Sequence, residues 1–335
     1  MGGSADAWVG FTSIVPAAPS RSVERVWTAL AWFRRTRRGR AVSQILALAL
    51  LAFLAVRLWR LWSSTDLSLR EVRPGVAVAA VVVSTIAVAS YGCVWLLVLE
   101  RLGIEAQARQ LMLFLKSQLG KYIPGSVWQF AGRVGLGRGE GIPGNIGLAS
   151  IAVEVAASLF AAVVVGGLVL SLWAGLVVAA AAAVATAATI RRHGWISRLA
   201  GSVPRLDARP VSRAARVIPW ATPLYGVVWV AYGTAFWLTA RALFVVPASD
   251  VPLYIGVFAL SWAVGFVAIF APGGVGVREA VIVGLLGGHL GEAKAIVLAG
   301  ASRIVLTAID LALGAVAIVA TGRHSPHIPG LEARR

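Results

Sequence analysis

Residues 75–99 of the chain read GVAVAAVVVSTIAVASYGCVWLLVL, without a single Asp, Glu, Lys or Arg. A helix of roughly 20 apolar residues crosses a hydrocarbon core about 30 Å thick, so this stretch is long enough to span a bilayer. The rest of the chain is similar, because 59% of its 335 residues are hydrophobic and only 13% are charged. Soluble domains carry about 25% charged residues. The composition therefore predicts a protein whose solvent is lipid.

Six further stretches are comparably long and apolar. With the first, the predicted spans are 41–62, 75–99, 143–168, 172–190, 221–246, 251–270 and 294–320. Tryptophans near the ends of several stretches, such as Trp62 and Trp220, suit the interface between lipid and water. The predicted fold class is all-α, a polytopic integral membrane helical bundle with about seven to eight spans plus broken or re-entrant helices.

Two shorter apolar stretches, 111–123 and 275–288, are interrupted by proline and glycine. The letters PG at 124–125 close the first, and PGG at 272–274 opens the second. Broken helices are tolerated at membrane depth only where protein or a water-filled cavity satisfies their backbone. These segments are therefore the predicted functional site. Their corresponding positions in the two halves also suggest an internal repeat with a binding site at its interface.

The charge balance bears on partners and topology. The chain has 31 basic and 14 acidic residues, a net charge of +17. In a soluble protein this would suggest nucleic acid, but here the charges lie between apolar runs. An anionic membrane surface explains them better, so we predict membrane lipids and no nucleic acid as partners.

Basic residues concentrate in two segments, 1–40 and 191–219, which the positive-inside rule places in the cytoplasm. We therefore predict a multi-pass plasma-membrane protein with a cytoplasmic N-terminus, and with the turn at 247–250 outside. Its membrane domain covers 41–321, has halves joined by the basic linker 191–219, and precedes a polar tail at 322–335. This orientation brings both interrupted segments in from the cytoplasmic side. In an inverted repeat the two segments would enter from opposite sides. Either one segment crosses the membrane fully, or the two halves are not related by a repeat.

The first interrupted segment continues as KSQLGKYIPGSVWQFAGR over residues 116–133. Lys121, Arg133 and the backbone amides near 124–125 suit a phosphate head group, because helix termini and basic side chains both favour anions. The alternative is an interfacial helix whose lysines contact anionic lipid without specificity. The spacing does not choose between them.

The second interrupted segment reads FAPGGVGVREA over residues 270–280. Glycines permit close approach of the backbone to a ligand, and Arg278 with Glu279 puts a charge pair at the start of a half-helix. The alternative is a turn between packed helices, but the charge pair beside the break favours a functional role.

Charged residues also lie well inside two predicted spans: Glu154, with Ser150 and Ser158 one turn away, and Arg303 with Asp310. A charge near the bilayer centre costs roughly 2.5 to 3.5 kcal/mol on insertion scales, so such residues pair or line a pathway. Either they line a polar pathway, or they form a structural bridge such as one between Glu154 and Arg303.

An aromatic stripe in the fifth predicted span comprises Tyr225, Trp229, Tyr232 and Phe236. Ordinary helix packing is favoured over contact with an acyl chain or a sugar. The single Cys93 forms no intrachain disulfide, and the four histidines are scattered, so neither a metal nor a cofactor is predicted. The soluble catalytic patterns are also missing from the sequence, which argues against an enzyme.

The two interrupted segments resemble the lysylphosphatidylglycerol synthase transmembrane-domain family, also called flippase-like. The resemblance rests on GKYIPGSVWQ at 120–129 ending in Gly132-Arg133, on Glu154 downstream, and on PGGVGVRE at 272–279. It covers roughly residues 41–321 and implies a membrane domain related to the one that moves aminoacylated phosphatidylglycerol between leaflets. Larger relatives append further helices and a soluble aminoacyl-transfer domain. Because this chain ends soon after its last span, we expect no aminoacyl transfer.

The expected function is therefore binding or translocation of a phospholipid or lipid-linked substrate with an anionic head group. The predicted substrate-binding residues are Lys121, Tyr122, Pro124, Gly125, Trp128, Gln129, Arg133, Glu154, Pro272, Gly273, Gly274, Gly276, Arg278, Glu279, Arg303 and Asp310. No ATP site is visible in the sequence, so the driving energy would come from a gradient, a partner, or none.

Two other functions stay open. One is an accessory subunit of a cell-envelope biosynthetic enzyme, for which that enzyme or a second copy of the chain would be the partner. The other is a polyprenyl-dependent membrane transferase. It is less favoured, because Asp66 and Glu71 are the only acidic pair expected in an external loop.

Overall fold

The computed structural model describes residues 72–122, 128–170, 208–268 and 274–322, and within these ranges every regular element is a helix. The predicted all-α class agrees with this. The α-helices are Pro74–Arg101 (α1), Ala108–Gln118 (α2), Trp128–Gly139 (α3), Gly144–Leu170 (α4), Ala208–Leu243 (α5), Val251–Val267 (α6), Val277–Leu290 (α7) and Glu292–Gly322 (α8), with short 3-10 helices at Leu119–Tyr122 and Ala248–Asp250.

Four described helices are long and apolar enough to cross a membrane: Pro74–Arg101, Gly144–Val169, Ala248–Val267 and Glu292–Thr321. They match the predicted spans at 75–99, 143–168, 251–270 and 294–320. Several predicted segments lie outside the described residues: the spans at 41–62 and 172–190, the N-terminal segment 1–40 and most of the tail 322–335.

Helix α5 begins earlier than predicted. The sequence places a span at 221–246 after a linker, whereas the helix already includes Pro219 and Pro223 in its interior. Proline lacks the N–H that bonds to the carbonyl four residues before, which disfavours a helix locally. Here tertiary packing outweighs that cost, because side chains ahead of both prolines, such as Val217, are already buried. The last part of the predicted linker 191–219 is therefore helical.

Helix α5 lies at the centre of the described bundle, with α1, α4 and α6 packed against it, while α8 packs against α2 and α7. Glycines allow the tightest approaches. A Cβ at Gly233 of α5 would overlap the backbone of Ile255 in α6, and a Cβ at Gly166 of α4 would overlap the side chain of Leu260. Small residues at such contacts let membrane helices come close.

The outward surfaces of α1 and α8 are apolar. Val78, Val82 and Ile86 on α1 are exposed, as are Ile304 and Val319 on α8. Contiguous exposed apolar surface is rare on soluble monomers, so these faces fit contact with lipid. Polar and charged side chains, by contrast, gather inside the bundle.

Candidate functional site

Arg133, from the first interrupted segment, lies in α3, contacts α1, α2 and α4, and is 2% exposed. Its Nη1 pairs with the carboxylate of Glu154 in α4, and its Nε donates to Ser117 Oγ in α2 at 3.1 Å. The guanidinium carbon lies 4.4 Å from the ring centroid of Phe114 and 5.0 Å from that of Trp95. We call these five residues the Arg133 cluster. A buried ion pair of this kind needs its remaining hydrogen bonds satisfied to be favourable.

The local fold explains how Arg133 reaches this position. The chain leaves α2 through the 3-10 helix Leu119–Tyr122 and returns as α3, whose first turn crosses close to Gly120. A Cβ at Gly120 would lie 2.6 Å from the backbone nitrogen of Gln129, too near for any other residue. The glycine thus permits the reversal, and the reversal aims Arg133 of α3 back at α2 and α4.

The polar stripe predicted on α4 is present and buried. Ser150, Glu154 and Ser158 are each at most 3% exposed. Ser150 accepts a hydrogen bond from the indole of Trp95 at 3.2 Å, and the backbone carbonyl of Ser158 accepts one from Trp229 Nε1 at 2.9 Å. These bonds attach α4 to α1 and α5 on the face that carries Glu154.

The described part of the second interrupted segment, from Gly274 onward, forms a tight turn into α7. Gly274 and Gly276 have positive φ angles of 68° and 85°, which glycine adopts readily. A Cβ at Gly274 would lie 3.0 Å from Gly265 of α6. The turn therefore depends on close backbone contact, and it places the charges of α7 beside α6 and α8.

The adjacent charges Arg278 and Glu279 have different neighbours. Glu279 accepts a hydrogen bond from the Gly276 backbone N–H at 2.6 Å and pairs with Arg303 of α8. Arg278 instead places its guanidinium carbon 4.4 Å from the ring centroid of Phe258 in α6. A carboxylate in the first turn is stabilised by the helix dipole, so Glu279 closes the start of α7 while Arg278 reaches inward.

A third contact joins the two interrupted segments through α8. Lys121 Nζ lies 2.5 Å from Asp310 Oδ2, and the Tyr122 hydroxyl donates to the same oxygen at 2.7 Å. Burial and the charge of Asp310 raise the pKa of Tyr122, so its phenol remains a donor. With Glu279 and Arg303 these residues form the α8 cluster, in which Arg303 is within electrostatic range of both Tyr122 and Arg278.

The bridge suggested between Glu154 and Arg303 is wrong. Glu154 pairs with Arg133, and Arg303 pairs with Glu279. The reason is topological, since each interrupted segment folds back and supplies a charge of its own to the neighbouring long helix. Spacing within α8 puts Arg303 and Asp310 on one face but does not reveal which segment that face meets.

The arginines of the two interrupted segments share a feature: each has a buried guanidinium nitrogen without a hydrogen-bond partner among the described residues. Arg133 Nη2 and Arg278 Nη2 are both buried, and within the described ranges neither has a hydrogen-bond partner. Most buried donors are bonded, so an exception calls for an explanation such as an absent ligand or water. Both guanidinium groups also stack at 4.4 Å on a phenylalanine ring. Each segment therefore contributes one buried arginine that stacks on a ring and keeps an N–H group for a further acceptor.

The remaining predicted site residues divide into two sets. Trp128 and Gln129 begin α3, and Gly274 and Gly276 form the turn before α7. The others, Pro124, Gly125, Pro272 and Gly273, lie outside the described residues.

Sequence reasoning did not single out Ser117, Trp95, Phe114 or Phe258. Ser117 and Phe114 share one face of α2, three residues apart, which was a usable signal. Nothing local marks Phe258.

The aromatic stripe on α5 packs against neighbouring helices. The Tyr225 ring lies 4.9 Å from Tyr91 of α1, and the Phe236 ring 5.3 Å from Phe258 of α6, centroid to centroid. These separations are typical of packed aromatic pairs. The helix-packing interpretation therefore describes the stripe.

A small cavity of about 10 Å³ lies where α1, α5, α6 and α8 meet. Its polar lining includes Ser84, Tyr232, Thr239 and Ser302, and it has room for about one water molecule. Across the described parts of the chain, no three His, Cys, Asp or Glu side chains group as metal ligands.

Comparisons of the chain with protein-family models, with curated proteins and with solved structures find no match.

Proposed function

We propose that the chain binds the anionic head group of a phospholipid or lipid-linked substrate within the membrane and moves it between leaflets, without aminoacyl transfer. The observation that carries the proposal is that the buried Nη2 nitrogens of Arg133 and Arg278 have no hydrogen-bond partner among the residues that the structure describes. This is also the activity expected from the resemblance to flippase-like proteins.

Guanidinium chemistry favours a phosphate oxygen as the missing partner. Arginine offers a planar fork of N–H donors that matches phosphate geometry. In Arg133 two of the three nitrogens are already used, by Glu154 and Ser117. The third nitrogen, Nη2, is a donor held in place by stacking of the guanidinium on Phe114, and it can donate to a phosphate oxygen.

The carboxylates of both clusters serve as internal counter-ions in this proposal. Glu154, Glu279 and Asp310 each neutralise a basic side chain when no head group is bound. An uncompensated charge in lipid is expensive. A phosphate that replaces a carboxylate keeps the basic residue neutralised at each stage, which lowers the barrier to passage.

Passage also requires movement of helices. Arg133 and Glu154 are 2% and 3% exposed, so this conformation is closed to a head group at the Arg133 cluster. The two interrupted segments are the natural moving parts, since α3 and α7 are short helices attached through glycine-containing turns.

The test is lipid flipping by the full chain in liposomes. Labelled phosphatidylglycerol, lysyl-phosphatidylglycerol and undecaprenyl phosphate are supplied, and their movement between leaflets is followed by chemical quenching. Arg133→Lys and Arg278→Lys each keep a charge but remove the fork. We expect each to slow flipping about tenfold or more, because a charged hydrogen bond contributes about 1.5–3 kcal/mol.

Arg101→Lys is the matched control. Arg101 stacks on Trp220 at 4.0 Å but is exposed, and its replacement should leave flipping unchanged. Thermal unfolding confirms that each variant is folded. Movement of no lipid by the wild-type protein, or equal movement by all variants, would contradict the proposal; the first result would favour an accessory subunit.

A further inference from the structure

Glu154 has an unusual electrostatic position for a carboxylate inside a membrane helix. Arg133 of α3 is the one cation that contacts it among the described residues. Tyr91 of α1 and Tyr225 of α5 lie within its electrostatic range, and Ser150 and Ser158 flank it on α4. Helix α6, which also packs against α4, carries Tyr254 and no other ionisable side chain.

The single positive charge of Arg133 cannot neutralise both the Glu154 carboxylate and a bound anion. When a phosphate oxygen enters the Arg133 cluster, two negative groups compete for one guanidinium in a buried site. Like charges that share a site do not both stay ionised, and an uncompensated buried carboxylate is strongly unfavourable. The phosphate monoanion of a phosphodiester has no accessible proton affinity, so the carboxylate is the group that changes state.

Resting on the function proposed above, we infer that head-group binding at Arg133 is coupled to uptake of one proton by Glu154. The exchange balances in charge and atoms. The Arg133–Glu154 ion pair, a lipid phosphate anion and a proton become an Arg133–phosphate ion pair and a neutral Glu154 carboxyl. One O–H bond forms, and the proton comes from the aqueous phase.

Hydroxyl groups beside Glu154 are suited to deliver that proton. Ser158 Oγ and Tyr225 Oη are buried, Ser158 lies within hydrogen-bonding range of Tyr91, and the Tyr225 ring packs 4.9 Å from that of Tyr91. A hydroxyl both donates and accepts. These groups can therefore pass a proton or hold an ordered water without gaining a charge themselves.

Coupling makes a proton gradient a source of driving energy. Binding becomes tighter on the more acidic side of the membrane and release easier on the other. Because linkage is reciprocal, uptake of one proton per lipid makes the affinity for lipid fall about tenfold for each unit by which pH rises. This slope holds over the pH range in which Glu154 is ionised in the free protein and protonated in the complex.

The experiment is calorimetric titration of the purified full chain in detergent with short-chain phosphatidylglycerol. Titrations run at acidic, neutral and basic pH, each in two buffers of different ionisation enthalpy, so that the protons taken up per lipid are counted. We expect about one proton per lipid for the wild type and none for Glu154→Gln. Glu292→Gln, which removes an exposed carboxylate at the start of α8, should retain the proton.

Infrared spectroscopy of the wild type gives a second measurement that needs no variant. A protonated-carboxyl band should appear on addition of lipid. Lipid binding without proton uptake and without this band would overturn the coupling and leave the proposed function intact.

The same titration is run with lysyl-phosphatidylglycerol and undecaprenyl phosphate, and absence of binding by all three lipids at every pH would overturn both. Dimethyl phosphate, a soluble phosphodiester that gains no proton near neutral pH, is a parallel arm, and its binding with the same proton uptake would support the coupling while naming a free anion, not a lipid, as the ligand.

Discussion

At the scale of single residues, the ion pairs of this chain differ in how far they are buried from solvent. Arg133 and Glu154 are almost fully buried, whereas Arg109 and Glu140 lie 3.8 Å apart on the surface. Breaking a buried pair leaves one charge without compensation, while an exposed charge is screened by water. The same chemical change should therefore have very different effects at the two places.

The buried pair can be tested by a double-mutant cycle. Arg133→Met or Glu154→Leu alone should lower the free energy of unfolding by about 3–5 kcal/mol, and the double variant should be more stable than either single one. Thermal unfolding in detergent measures this. The surface variants Arg109→Ala and Glu140→Ala should each cost about 1 kcal/mol or less. Additive losses at the buried pair would show that the two side chains are not coupled.

At the scale of helices, glycines decide how closely the long elements pack. Gly233 and Gly226 both lie in α5, but only the first faces a neighbour. A Cβ there overlaps the backbone of Ile255, whereas no atom of the described residues lies within 4 Å of a Cβ at Gly226. Backbone cannot rotate away as a side chain can, so an added methyl must separate α5 from α6.

Gly233→Ala should therefore destabilise the bundle by about 1–3 kcal/mol, the usual cost of overpacking. Gly226→Ala should cause no loss, because alanine is the better helix former and the space is open. Chemical denaturation of both variants in detergent makes the comparison. Equal stability of the two proteins would mean that α5 and α6 tolerate separation.

Helix α5 begins earlier than predicted because of its packing against other helices. The span predicted at 221–246 would put Pro219 before the helix and Pro223 in its first turn, a position that proline suits. The helix instead includes them, because its early residues are buried against other helices. Local propensity is weak beside such packing.

At the scale of the whole molecule, the single cysteine reports on the surrounding solvent. Cys93 lies within α1 and is exposed, so its thiol should face lipid. An apolar maleimide should label it in intact vesicles, and a charged, membrane-impermeant maleimide should not. Rapid labelling by the charged reagent would place this face of α1 in water.

Orientation can be read with a second cysteine. Ser249 is exposed in the turn between α5 and α6, and the charge distribution predicts that this turn lies outside. In a Cys93→Ala background, Ser249→Cys should react with the impermeant reagent added to intact cells. Reaction only after the cells are opened would reverse the predicted orientation.

The amino-acid sequence by itself determined that its long apolar stretches are helices. Long apolar runs such as residues 75–99 can satisfy their backbone in lipid only as helices, so their class and approximate bounds follow from composition. The sequence also marked the polar stripe around Glu154, because the helical period puts residues four apart on one face.

The partners of the charges were decided only by the tertiary structure. Arg133 meets Glu154, and Arg303 meets Glu279, because interrupted segments fold back onto the long helices. Periodicity describes one helix at a time and contains no information on which helices adjoin. Pairing depends on distances between elements far apart in the chain, and those are set by the packing of the whole bundle.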